Sequence, residues 1–248
     1  MQLLILAHAL DGGAHAVARL LTPALGERLR LLRPEWLGQA HWSQRLDPRG
    51  VARTLLRWHG GQISDGCEIG LVWNRIRLLP QAAFRASTAR DRDYAGCELQ
   101  ALVASWLAQL GDRVEPAMRR HCGVTPTLHE LRWMAAASRC GLALATGAPA
   151  PEDFSVLRTP LTLCGFAAHD LPAPFARACH RVAGELGFAM LRLGFRGTPA
   201  APLLCRVDAH PALQTAAEVR AVARWLSQRL DEAASADDEP TTPEEAFV

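Results

Sequence analysis

The sequence predicts an α/β protein: a parallel, doubly wound N-terminal domain followed by a smaller α/β part of mixed α+β character. Three observations predict it. The chain opens β-α-β, with a continuous apolar strand at Gln2–His8, helical spacing over His15–Leu25 and an alternating strand at Arg28–Leu32. A stretch rich in proline and glycine, 145–160, interrupts it. Strands and helices then alternate again to the end. With 248 residues, 49% hydrophobic and 21% charged, the composition is that of a globular chain of one large domain or two small ones.

Each element has its own signal. Val17, Leu20 and Leu21 share one helix face after a turn at Asp11-Gly12-Gly13. Val51–Trp58 and Gln62–Gly66, joined through Gly60-Gly61, read as a short hairpin. Ile69–Ile76 is a buried strand with a polar exit at Asn74-Arg75. A helix over Ala95–Leu110 presents Leu99, Leu102, Val103, Trp106 and Leu110, and Asp91 or Asp93 is its expected N-cap. Thr127-x-x-Glu130 is a capping-box pattern for a helix over Leu128–Cys140.

The interruption at 145–160 is the expected linker between a domain at 1–144 and a second part at 161–230. That second part reads as strand Leu161–Phe166, helix Pro172–Leu186, strands Phe188–Phe195 and Leu203–Asp208, and helix Ala216–Leu230. Residues 231–248 carry seven acids and no base, which predicts an acidic disordered tail.

Composition excludes several functions. All 27 basic residues are arginine. Without lysine there is no Schiff base, no lysine nucleophile and no lysine on a phosphate. Residues 1–230 hold 27 arginines against 18 acids, a formal +9, yet the arginines follow no stripe and have no aromatic interleaving. Nucleic acid is therefore not the expected partner. Seven scattered cysteines with no CxxC pair argue for a reducing cytoplasm and against a disulfide framework or a cysteine zinc site. Cys97 is the one candidate for a reactive thiol. No apolar run is long enough to span a membrane, and Leu3–Leu10 lacks the basic flank of a signal peptide.

No dinucleotide or P-loop glycine motif, HExxH or GxSxG is present. His121, His129, His169 and His180 are not spaced as metal ligands. Two polar clusters stand out: Trp73-Asn74-Arg75 at a strand's carboxyl end, and Asp91–Tyr94 with Glu98 at a helix entrance. Strand carboxyl ends and helix amino ends line the ligand crevice of open α/β sheets. Asn74, Arg75, Asp93, Tyr94 and Glu98 are therefore the ligand-binding candidates. The competing reading is an Arg75–acid salt bridge with an ordinary helix cap.

The runs IGLVWNRIRLLP, DRDYAGCELQALVASWLAQL and TLHELRWMAAASRCGL together resemble the N-terminal region of bacterial ATP-grasp-like proteins, and FAMLRLGF with LLCRVDAHPAL resembles the close of an ATP-grasp domain. The resemblance implies a pre-ATP-grasp domain and a magnesium–nucleotide site whose closing strand reads acid, apolar, asparagine. Here those positions are Arg206, Val207 and Asp208. A guanidinium has no acceptor and cannot ligate Mg²⁺. Arg206 becomes a phosphate-binding candidate and Asp208 a lone metal candidate. About 20 residues stand where the family carries a nucleotide-covering lobe, too few for several strands and their turns.

Three readings follow. The first is a degenerate, truncated, non-catalytic ATP-grasp-like protein that binds a protein partner or a second copy of itself, accessory to a biosynthetic enzyme. The second is an ATP-dependent carboxylate–amine ligase completed by a partner chain. The third is a small-molecule or peptide binder without nucleotide. ATP and Mg²⁺ are expected only under the second.

Overall fold

The computed structural model describes residues 1–46, 48, 52–59, 61–64, 68–79, 84, 86–116, 128–146, 151–165, 168 and 171–238. The first half contains β1 (Gln2–Leu6), α1 (Gly12–Leu25), β2 (Leu29–Leu32), α2 (Pro34–Gln39), β3 (His41–Leu46), β4 (Ala52–Trp58), β5 (Gly61–Ser64), β6 (Ile69–Asn74), α3 (Ala89–Leu110) and β7 (Val114–Glu115). The second contains α4 (Glu130–Arg139), β8 (Phe154–Arg158), β9 (Leu163–Cys164), α5 (Ala173–Leu186), β10 (Leu191–Thr198), β11 (Ala201–Asp208) and α6 (Ala216–Asp238).

Among the described residues the strands form three sheets. The first is parallel, in the order β2-β1-β6-β7. Because strand side chains alternate, it buries both faces. Leu3, Ile5, Leu71 and Trp73 meet α1 and α6 through Val17, Leu21, Val222, Trp225, Leu226 and Leu230. Leu4, Leu6 and Val72 meet α3 and the hairpin through Leu99, Val103, Trp106, Leu56 and Ile63. The second sheet is antiparallel, β3-β4-β5. The third is antiparallel, β11-β10-β8-β9, and lies against α4 and α5 through Val156, Leu193, Phe195, Leu204, Trp133, Cys179 and Val182. This mixture of a parallel sheet and antiparallel sheets is the α/β class expected. Among the described residues no helix is long and apolar enough to cross a membrane.

Several local expectations change. Asp11-Gly12-Gly13 is a helix start: the Asp11 carboxylate accepts the Ala14 N–H at 3.0 Å, and Gly12 opens α1. Gly13 is required by a close approach, since a Cβ there would stand 2.9 Å from the Leu213 Cβ. Helix α3 begins at Ala89, six residues earlier than expected. Thr88 is its N-cap, accepting the Asp91 N–H at 3.2 Å while its hydroxyl donates to the Asp91 carboxylate at 2.7 Å. Asp91 and Asp93 are therefore inside the helix and neither caps it. Helix α4 is capped by His129, whose Nδ1 accepts the Leu131 N–H at 3.3 Å, and Thr127 lies outside the described residues.

The stretch 145–160 holds strand β8, which pairs with β10 in the middle of the third sheet, because Val156 and Leu157 bury fully. Helix α2 and strand β3 have no counterpart in the sequence reading. The acidic stretch is helical through Asp238: α6 starts with the box Thr215-x-x-Glu218 and runs on past Leu230, with Arg229 pairing to Glu232. Residues 239–248 lie outside the described residues.

Candidate functional site

The carboxyl ends of the parallel strands converge with the exit of β11 and the middle of α6. Arg75 leaves β6 buried, with its N–H on the Leu6 carbonyl at 2.8 Å. Its Nε donates to Asp11 at 2.9 Å and its guanidinium lies 5.4 Å from the Trp73 ring. Asp11 thus caps α1 and neutralises Arg75 together. Asn74, fully buried, accepts the Ile76 N–H at 3.1 Å and turns the chain out of the sheet. Arg77 then reaches across to donate to the His210 carbonyl.

Trp73, Asn74, Arg75, Glu115, Met190, His210 and Trp225 enclose a cavity of only about 10 Å³, room for one water molecule at most. Among the described residues this junction is packed core.

Glu115 ends β7 at the same junction. Burial pushes its carboxyl up to about 7; Arg229 and Arg158 oppose the rise and Asp112 adds to it. Arg158 donates to the Phe188 and Ala189 carbonyls at 3.3 and 2.7 Å and to His180 Nδ1 at 3.2 Å. Burial, with Arg158 alongside, pushes the His180 imidazole down. A raised Glu115 favours the protonated form in the folded state. Its stability contribution is therefore fully present below about 4.5 and lost as pH rises through about 7. Denaturation midpoints measured across that window should fall with pH, by up to about 3 kcal/mol in unfolding free energy. Glu115→Gln should flatten the decline, and an unchanged slope in that variant would assign it to another group.

The face of the third sheet opposite α5 carries the second polar group. Arg192 on β10 donates to Ser155 Oγ at 3.3 Å, to the Ala212 carbonyl at 2.7 Å and to Glu218 at 3.0 Å. Glu218 also accepts the Gln214 and Thr215 N–H groups at 2.6 and 3.2 Å. Asp208 pairs with Arg192 in the β10/β11 register, and its Oδ1 accepts the His210 N–H at 2.8 Å. Arg206 is exposed beside Gly194. Glu152 packs over Gly194 so closely that a Cβ there would stand 2.0 Å from its Oε2.

Of the two β11 side chains that the ATP-grasp resemblance puts at a magnesium site, Asp208 alone carries an acceptor. Arg206 presents a guanidinium, and Asp208 Oδ1 accepts the His210 backbone N–H. Among the described residues no three His, Cys, Asp or Glu side chains gather as a metal site.

The structure places the sequence-derived candidates in three groups. Asn74 and Arg75 are at the junction, held by the competing salt bridge. Asp93, Tyr94 and Glu98 lie on an exposed face of α3, Tyr94 being 68% exposed, with no described contact to Asn74 or Arg75. Arg206 and Asp208 are on β11. Cys97 is exposed on α3. Sequence reasoning missed Asp11, Glu115, Arg192, His210 and Glu218. Only Glu218 left a signal, as the last residue of its capping box.

No family model matches the chain, and no curated protein does. Solved structures do. The macrocyclase MdnC of Microcystis aeruginosa MRC, bound with precursor peptide MdnA, superposes with a TM-score of 0.70 at 11% identity, covering 92% of this chain and 100% of that one. MdnB of the same organism gives 0.70 at 13%, covering 90% and 98%. A RiPP-associated ATP-grasp ligase of Chryseobacterium gregarium, in complex with ADP and a leader and core peptide, gives 0.66 at 11%, covering 94% and 97%. At such identities the likeness is one of fold, and the fold of this chain is ATP-grasp-like.

Proposed function

We propose that this chain is a non-catalytic ATP-grasp-like protein of the cytoplasm that works by binding a peptide or protein partner, as an accessory to a biosynthetic enzyme. The observation that carries this reading is the exit of β11. Arg206 stands where the ATP-grasp resemblance puts a metal-binding acid, and Asp208 Oδ1 accepts the His210 N–H. Phosphoryl transfer relies on metal and cations to neutralise developing charge. A strand end that offers one carboxylate and a guanidinium lacks the paired carboxylate and asparagine that hold the metal in the family it resembles.

Peptide binding is the function we assign to the fold. The structurally similar macrocyclase and ligase noted above are bound with precursor, leader or core peptides. Asp93, Tyr94 and Glu98, exposed at the start of α3, are our candidates for partner contact, whereas Asn74 and Arg75 serve structure.

A thermal-shift titration with ATP, with and without Mg²⁺, tests the reading. Under it, neither condition moves the melting temperature by more than about 1 °C. Specific binding at a hundredfold excess over Kd is worth about 2.7 kcal/mol, or roughly 5–10 °C for a chain of this size. A Mg²⁺-dependent rise of that size would favour a ligase instead.

A further inference from the structure

The sheet β3-β4-β5 carries a polar surface that no part of the described chain uses. Its inner face is accounted for. Leu56 and Ile63 bury in the core with Trp42 and Trp58 packed against them, and the Trp42 Nε1 donates to the Leu37 carbonyl at 2.9 Å. Its outer face follows from the register. His41 opposes Arg57, Ser43 opposes Leu55, and Arg45 opposes Arg53. Alternation puts these six side chains on one side. His41, Arg45, Arg53 and Arg57 are exposed there.

Two features of this face are unusual. Like charges directly opposite one another across an antiparallel ladder destabilise it. Yet Arg45 and Arg53 are so placed, and neither they nor Arg57 forms an ion pair among the described residues. No acid occurs anywhere in the three strands. Beside the basic face, β3 is the outer strand, and no backbone hydrogen bond from another described segment reaches its outer edge. An open edge of six residues is a template for an added strand.

We infer that β3 receives an extended acidic peptide segment of a partner protein as a fourth strand. The identity of the partner class rests on the proposed role in partner binding. Main-chain bonds to the free edge supply affinity. Carboxylates at alternate positions of the incoming strand lie beside Arg45, and the long Arg53 side chain, one strand further in, extends over β3 toward the same carboxylates, so that repulsion gives way to charge-assisted hydrogen bonds.

Other occupants fit less well. A second copy of the chain would bring Arg45 and its neighbours against themselves. The chain's own acidic C-terminal stretch begins within α6, which packs on the α1 side of the parallel sheet, whereas this hairpin packs on the α3 side. A nucleic acid would leave the edge N–H and C=O groups unused and would find no aromatic side chain to stack on, since Trp42 and Trp58 face the core.

Fluorescence anisotropy of the full chain tests this, using a labelled peptide of about eight residues that alternates threonine and glutamate, the length of a strand. We expect saturable binding that weakens with salt. Arg45→Gln with Arg53→Gln should weaken it at least about tenfold at an unchanged or higher melting temperature. Arg19→Gln with Arg220→Gln, the same change of charge on exposed positions of α1 and α6, should leave it intact. The counterpart with glutamine for glutamate, and a backbone N-methylated version, should bind at least about tenfold more weakly. Four results would each overturn the inference: no binding of the acidic peptide, equal losses in the two arginine pairs, full affinity of the N-methylated peptide, or displacement by an equimolar oligothymidylate. None of them alters the outcome of the nucleotide titration, so the two proposals fail separately.

Discussion

Glu218→Ala lowers the unfolding free energy by about 3–5 kcal/mol, read from urea denaturation at neutral pH. Glu218 is 1% exposed and holds two backbone N–H groups at the start of α6 as well as the Arg192 guanidinium. Removing it leaves a buried cation and two orphaned donors, and the cost of a buried unpaired charge exceeds what the pair contributed. Glu218→Gln keeps acceptor oxygen for the cap but not the charge. It should fall between the parent and the alanine variant. A loss below about 1 kcal/mol for alanine would mean that water reaches Arg192 and that the pair is a surface one.

Asp11→Ala is the second large effect, about 3–5 kcal/mol, combining a lost N-cap with a stranded Arg75. The Arg75 side chain is 5% exposed, and its Nη1 has no hydrogen-bond partner among the described residues, so Asp11 is what neutralises it. The remedy distinguishes the two components. Adding Arg75→Met to Asp11→Ala removes the buried charge while keeping the volume, and should restore all but about 1 kcal/mol, the share of the cap. A double variant no more stable than Asp11→Ala would place the entire loss in the helix start.

The parallel sheet was legible because its strands bury both faces. Runs such as Leu3–Leu6 and Ile69–Trp73 leave no other reading. Helices α1, α5 and α6 followed from apolar periodicity. Strand β3 did not, because its outer face is histidine, serine and arginine, and Gln44 interrupts the apolar side between Trp42 and Leu46. Strand β8 was hidden by the prolines and glycines before it, although Val156 and Leu157 are core.

At the site, Asn74 and Arg75 were found as a polar exit from an apolar strand. The Arg75 partner Asp11 stands 64 positions away, in a pattern that reads as a turn. Arg192 and Glu115 sit within ordinary strand patterns; only tertiary packing makes them buried charges. The α3 cluster was displaced because Thr88, an unremarked residue, starts the helix six residues early.

The return of α6 to the first sheet ties the end of the chain to its beginning. Leu3, Ile5 and Leu71 share one cluster with Val222, Leu226 and Leu230, so this side of the parallel sheet is incompletely covered until the last helix exists. During synthesis the ribosome must release α6 before that surface closes, so the nascent segment ahead of it exposes apolar surface of the kind chaperones bind. For the same reason a fragment ending before Ala216 should aggregate rather than yield a free-standing unit.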